Sequence, residues 1–196
     1  SGIVLKSGQH LLEMVNNVLE ISRLESGSIR PERRPADIRP LVEACMVSIR
    51  NSRDFDGQVL KLEGADSVGR VFTDVRLLKQ ILVNLLSNAI KFAPQGHKNS
   101  AVVSIAARAN RTLSIAVSDN GTGMTAETLS RVTDLFYQGD GTFTRKHEGR
   151  GLGLYLVKKH VEILGGTLSF ESEPGKGTTV RIDLPNALPE QEVSAA

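Results

Sequence analysis

Asn84-Leu85-Leu86-Ser87-Asn88-Ala89-Ile90-Lys91-Phe92 is the stretch whose reading decides the fold. It closes an apolar run that reads as helix from about Asp74. An α-helix turns ~100° per residue, so spacings of four and three bring Asn84, Asn88 and Lys91 into one narrow angular window. Leu78, Ile81, Leu82, Leu85, Ala89 and Phe92 make an apolar stripe beside it. A helix that only covers a core has no use for two carboxamides and an ammonium along the edge of its buried face. The pattern suits a helix whose core edge is also the wall of a polar pocket.

Outward from that helix the chain alternates between the two periods. Residues 58–63 and 70–72 alternate as strands, and 41–50 reads as a helix. Residues 101–109 and 113–118 are alternating runs separated by Asn110-Arg111, which predicts a hairpin with a tight turn. Residues 120–149 carry five glycines and no sustained period, as in a lid or binding loop. Residues 152–164 read as a helix between Gly151 and Gly165-Gly166. Residues 167–171 and 178–184 read as strands joined through a Pro-Gly turn.

Before the first strand, 3–24 reads as an amphipathic helix ended by Gly27. Val4, Leu11, Val15 and Val18 form one line, and Leu5, Leu12 and Leu19 the next. So wide a stripe belongs in a helical bundle. The connector 29–40 holds three prolines and four arginines and predicts an extended lead-in rather than helix. This gives three parts: a helical piece at 1–29, a globular domain at 30–186, and a polar, disordered tail at 187–196. The chain opens inside a helical pattern without an initiator Met and is expected to be a piece of something longer.

Composition excludes several function classes. A net charge of +2 gives no global electrostatic case for nucleic acid. A single cysteine, Cys45, rules out an internal disulfide and a cysteine cluster for zinc. No apolar run reaches the ~18 residues that span a bilayer. A cytoplasmic location is expected, with any membrane anchor lying in other parts of the full-length protein.

Two further places carry chemistry in their residue types. Asp119 ends a predicted strand and enters Asn120-Gly121-Thr122-Gly123. An ionised carboxylate only accepts, so it suits an amino group on a ligand, and Gly121 and Gly123 let backbone approach a flat ring. Asp-Asn-Gly is also a common turn. Gly149-Arg150-Gly151-Leu152-Gly153 opens a helix, where free N–H groups and the positive dipole end favour phosphate. A hinge explains the same glycines. The Lys-Ser/Thr pair of a Walker loop is missing, and no parallel strand directly precedes the run as a dinucleotide fingerprint requires.

In this order and spacing the motifs resemble the ATP-binding catalytic domain of two-component sensor histidine kinases, over roughly residues 30–185. Asn84 to Phe92 is similar to the family's N box, with Asp74, Arg76, Leu77 and Gln80 as its lead-in. Asp119 to Gly123 resembles the Asp-x-Gly-x-Gly box, Phe136-Tyr137-Gln138 part of the F box, and Gly149 to Leu154 the second glycine box. Gly175-Lys176-Gly177-Thr178 resembles the third. Residues 19–27 look like the end of the second helix of the family's dimerisation and phosphotransfer hairpin.

The resemblance implies an α/β (α+β) two-layer sandwich, the Bergerat fold, with a mixed sheet covered on one face by helices and an N-terminal amphipathic helix. It implies ATP and Mg²⁺ as cofactors. Asp119 would accept from the adenine amino group, with Thr178 near the base. Asn88 would be the Mg²⁺ ligand, and Asn84 and Lys91 would meet the phosphates as the catalytic pair. Gly121, Gly123, Gly149, Arg150, Gly151, Leu152 and Gly153 would line the nucleotide, and Phe136 would anchor the lid. Arg145, Lys146 and Arg150 are lid cations in reach of the phosphates. The reaction would be γ-phosphoryl transfer to a histidine and relay to an aspartate on a response-regulator receiver domain, in a homodimer assembled through the hairpin.

The sequence departs from the family in one respect that matters. None of its four histidines (His10, His97, His147 and His160) stands in the phospho-accepting box. Thr133 replaces the first F-box aromatic and Leu135 a common proline. Two other classes remain in view. One is a nucleotide-binding scaffold or pseudokinase, to be decided by the residues upstream of Ser1. The other is a different Bergerat ATPase of the chaperone, gyrase or mismatch-repair kind. The compact lid, the Gly-Leu-Gly-Leu run and the closing Gly-Lys-Gly-Thr argue against that last class.

Overall fold

The computed structural model describes residues 2–52, 55, 57–92, 100–135, 137 and 151–189. The chain divides into two compact units, Ser1–Arg30 and Pro31–Ala196. The first is helix α1 (Gly2–Glu25), followed by Gly27 at a φ of 65°. Among its described side chains Leu12, Val15, Val18 and Leu19 are exposed, while Ile21 and Leu24 are buried.

The second unit is built on a five-stranded sheet of β2 (Val59–Glu63), β4 (Ser100–Arg108), β5 (Thr112–Asp119), β7 (Gly177–Leu184) and β6 (Thr167–Glu173), in the spatial order β2-β4-β5-β7-β6. β2 runs parallel to β4, and the other pairs are antiparallel, so the sheet is mixed. The strands alternate because one face is covered. Val103 and Ile105, with Leu113, Ile115 and Val117, are buried, as are Ile182 and Leu184. Above that face lie α2 (Ile38–Arg50), α4 (Val75–Lys91) and α6 (Gly153–Ile163), with α4 touching both of the others. The expected layer of helices on a mixed sheet is present.

α4 is the central helix for reasons written in its sequence. Leu77, Leu78, Ile81, Leu82, Leu85, Leu86, Ala89 and Ile90 are all buried, a stripe wide enough to meet α2, α6 and the sheet together. Its N-cap is Asp74, whose Oδ1 accepts from the amides of Arg76 at 2.9 Å and Leu77 at 3.1 Å. The other carboxylate oxygen accepts from the amide of Glu32 at 2.9 Å. These amides and the Arg76 guanidinium outweigh the burial that would raise the Asp74 carboxyl, and hold it below its ordinary value. Phe92 does not continue the stripe: the helix ends at Lys91, and the Phe92 ring is exposed at the C-cap.

Three elements depart from the sequence expectations. The connector contains a strand, β1 (Arg34–Asp37), paired with β3 (Arg70–Thr73) in a separate two-stranded sheet. Pro35 is tolerated there because a strand in so small a sheet has a free edge. α2 begins at Ile38, so Pro40 lies in the first helical turn, where its missing N–H costs nothing. Two short helices, α3 (Ala65–Val68) and α5 (Ala126–Arg131), occupy segments that carry no apolar period. Ala187 stands at the start of the stretch read as a tail, but it is buried. It donates to Arg111 O and accepts from the amide of Phe72 at 2.7 Å. The hairpin turn has the expected form, with Asn110 and Arg111 at φ of 55° and 58°.

Candidate active site

The site is assembled where α4 ends, β5 ends and α6 begins. Asp119 is the last residue of β5 and pairs with Ala101 on one side and Thr178 on the other, so its side chain faces the helix layer. Its Oδ1 accepts from the amide of Gly121 at 2.8 Å. Burial pushes the Asp119 carboxyl up, opposed by the amides of Gly121 and Thr178. An open cavity of about 300 Å³ is lined by Asp119, Glu171, Ser172, Glu173, Lys176, Gly177, Thr178 and Thr179.

The glycines of this loop admit protein backbone rather than only a ligand ring. A Cβ on Gly121 would lie 2.7 Å from Phe92 O and 2.6 Å from Asp119 Oδ1. One on Gly177, at a φ of 95°, would overlap Asp119 O. Gly123 lies as closely against Glu173 O. Thr122 donates its amide to Phe92 O at 3.1 Å and accepts from the amide of Gly175 at 2.7 Å. The end of α4, the loop after β5 and the β6–β7 turn are thus sewn together by main chain.

Ser172 was not legible as a site residue. Its hydroxyl accepts from the amide of Met124 at 2.9 Å, donates to Gly177 O at 3.0 Å, and lies 2.9 Å from Thr178 Oγ1. Only its place opposite Thr178 in the β6–β7 register betrays it, and register is not visible before the fold is known.

At the other end, Asn84, Asn88 and Lys91 follow one another along α4, all half-buried. Asn84 Nδ2 donates to Gln80 O at 3.1 Å. Its Oδ1 looks toward α6, where a Cβ on Gly153 would stand 3.4 Å away. Lys91 Nζ is 5.9 Å from the centre of the Phe92 ring. Gly151, at a φ of 65°, turns the chain into α6. Leu152 is its N-cap and is buried, so Leu152 offers a ligand backbone and not a side chain. Among the described residues no side chain caps this N-terminus and no acid stands in its first turn, so its positive dipole end suits an outside anion. Phe136, Gly149, Arg150, Arg145 and Lys146 lie outside the described residues.

The structure therefore brings Asp119, Gly121, Gly123 and Thr178 into one cluster, and sets Asn84 against Gly153. The Phe92–Thr122 hydrogen bond ties the two ends together. A half-buried acceptor at one end and a helix N-terminus without a side-chain cap among the described residues at the other fit a nucleoside triphosphate.

Comparisons with known proteins agree. The family described as histidine kinase-, DNA gyrase B-, and HSP90-like ATPase matches residues 73–188. A sensor-like histidine kinase of Rhizobium meliloti, itself uncharacterized, is 35% identical over 94% of this chain and 34% of its own length. The histidine protein kinase DivJ of Caulobacter vibrioides is 37% identical over 95% of this chain and 30% of its own. A crystal structure of full-length ShkA in complex with AMPPNP superposes with a TM-score of 0.80 at 28% identity, covering 97% of this chain and 39% of that one. This chain belongs to the histidine kinase-, DNA gyrase B- and HSP90-like ATPase family, as the ATP-binding catalytic region of a sensor histidine kinase. It spans about a third of the length of the curated relatives it matches.

Proposed function

We propose that this region binds Mg²⁺-ATP and supplies its γ-phosphoryl group to a histidine carried outside the described site. Relay would follow to an aspartate on a response-regulator receiver domain. The observation that carries the reading is the placement of Asn84 beside the start of α6, with the end of the same helix α4 tied through Phe92 to the loop that follows Asp119. In this reading Asp119 accepts from the adenine amino group and Thr178 lies beside the base. The amides at the start of α6 and the Lys91 ammonium face the phosphates, with Asn84 between them. Gly149, Arg150 and the Phe136 anchor complete the lid.

Asn88 is the Mg²⁺ ligand in this reading. Among the described residues no group of three His, Cys, Asp or Glu could hold a metal. A cation that keeps its waters and binds phosphate oxygens needs only one such neutral oxygen from the protein. When bound, the ion balances charge on the transferring phosphoryl group, where most catalysis of such transfers resides.

The acceptor belongs elsewhere. His160 is fully buried in α6, and His10 lies on α1. His97 and His147 lie outside the described residues. The whole protein would be a homodimer through the hairpin that α1 helps to form, with this region in the cytoplasm. Among the described residues no helix is long and apolar enough to cross a membrane.

The test is to add a separate histidine-bearing helical hairpin with labelled ATP and Mg²⁺, with calorimetry on the same samples. Acid-labile label on the hairpin histidine is expected. Undiminished nucleotide binding with no transfer would sink the kinase reading and leave a nucleotide-binding scaffold.

A further inference from the structure

We propose that Ser172 sets the purine specificity of the pocket by fixing the direction of the Thr178 hydroxyl, so that Asp119 and Thr178 present side-chain acceptors side by side to the base. The inference rests on the base-pocket reading of Asp119 and Thr178 given above.

The argument is a count of protons. A serine hydroxyl has one proton and two acceptor positions. Gly177 O is a carbonyl and only accepts, so the Ser172 proton goes there at 3.0 Å. The Met124 amide only donates, so it takes one acceptor position at 2.9 Å. The remaining contact, 2.9 Å to Thr178 Oγ1, can then be made in one way: Thr178 donates its proton and Ser172 accepts. Ser172 is saturated, and the single hydroxyl proton of Thr178 is committed away from the pocket. What Thr178 offers a ligand, directly or through a water, is lone pairs.

Asp119 beside it offers the same. Its carboxylate accepts, and Thr178 and Asp119 are partners in the β5–β7 register, so both lie on one face of the sheet. A wall of acceptors suits a purine with an exocyclic amino group at position 6. These two side chains have nothing to donate to a 6-oxo group, and unmatched polar groups disfavour such a base. Ser172 touches no substrate in this account and is a positioning residue. Its influence passes through one proton.

Removing that proton's destination should relax the wall. In Ser172→Ala the Thr178 hydroxyl is free to turn and donate. Calorimetry with Mg²⁺-ATP and Mg²⁺-ITP, which differ at the 6 position and its neighbouring N1, reads the effect directly. The ratio of the two affinities should fall roughly three- to tenfold, the worth of one net hydrogen bond. Thr178→Val has no hydroxyl to direct, so adding Ser172→Ala to it should leave the ratio of Thr178→Val unchanged, whatever the affinities. A Ser172→Ala ratio unchanged within about twofold would overturn the proposal, because Ser172 would then only prop the loop. A further fall in the ratio on adding Ser172→Ala to Thr178→Val would overturn it too. Ser172→Cys, a far weaker donor and acceptor of similar volume, replaces Ser172→Ala should that variant not fold. Asp119→Asn run alongside separates the two readings: unchanged ATP affinity there would remove the base pocket itself.

Discussion

The two ends of the proposed nucleotide site are built differently. At the base end, chain segments far apart in sequence are bonded to one another. The Met124 amide reaches Ser172, Gly175 reaches Thr122, and Gly177 passes so close to Asp119 that only hydrogen fits between. At the phosphate end, three side chains come from one face of one helix, and the opposing partner is the start of another. The base end is a shape held by backbone, and the phosphate end is a row of functional groups on a rigid rod. Mutations should therefore cost fold and binding together at the first, and binding alone at the second.

The largest test of that contrast is Gly177→Ala against Asn88→Ala. Alanine at 177 must leave a φ of 95° and clear Asp119 O, so urea unfolding should show a loss of about 3 kcal/mol, with ATP binding lost as well. Asn88→Ala should unfold as wild type does. Its ATP affinity should drop on the order of tenfold with Mg²⁺ present and little in EDTA. A folded Gly177→Ala that binds ATP normally would break the comparison.

A smaller effect concerns two carboxylates whose environments push them in opposite directions. Asp74 is held below its ordinary value in the fold, so its stabilisation is in place at neutral pH and is lost as pH falls through the folded value. Asp74→Asn should cost about 1 kcal/mol at neutral pH, and the deficit should close in acid, below the usual carboxylate range. Asp119 is raised by burial, so the fold favours its neutral form, and that preference is lost as pH rises through the folded value. Unliganded Asp119→Asn should therefore melt no lower than wild type at neutral pH, even though ATP binding is lost. Melting curves across pH for both variants check the opposite signs.

The smallest effect belongs to the turn that carries Gly175 and Gly177. Lys176 and Glu173 form an ion pair at 2.8 Å with both side chains largely exposed. Water screens such a pair, so Lys176→Ala should change stability by less than about 0.5 kcal/mol. A larger loss would mean the turn depends on charge as well as on its main-chain bonds.

How much of this was legible in the sequence follows the same division. The α4 stripe could be read because a 3.6-residue period projects Asn84, Asn88 and Lys91 onto one side without help from the rest of the chain. Asp119 could be read because a strand end followed by two glycines is local. β1 and the short helices escaped for lack of any period. The Thr125 cap of α5, whose hydroxyl accepts from the Thr128 amide at 3.2 Å, was the one local signal there. Phe92 was misassigned because the period does not say where the helix stops.

The sequence by itself determined the helix that carries the Asn84–Lys91 stripe and the acceptor at the end of β5, since both depend on neighbours within a turn or a strand. Only the tertiary structure decided that Ser172 meets Thr178, that the Glu32 amide donates to Asp74, and that Ala187 is tied to the hairpin turn. Those hydrogen bonds join residues from six to 76 positions apart. Their partners are chosen by strand register and layer packing, which no local period encodes.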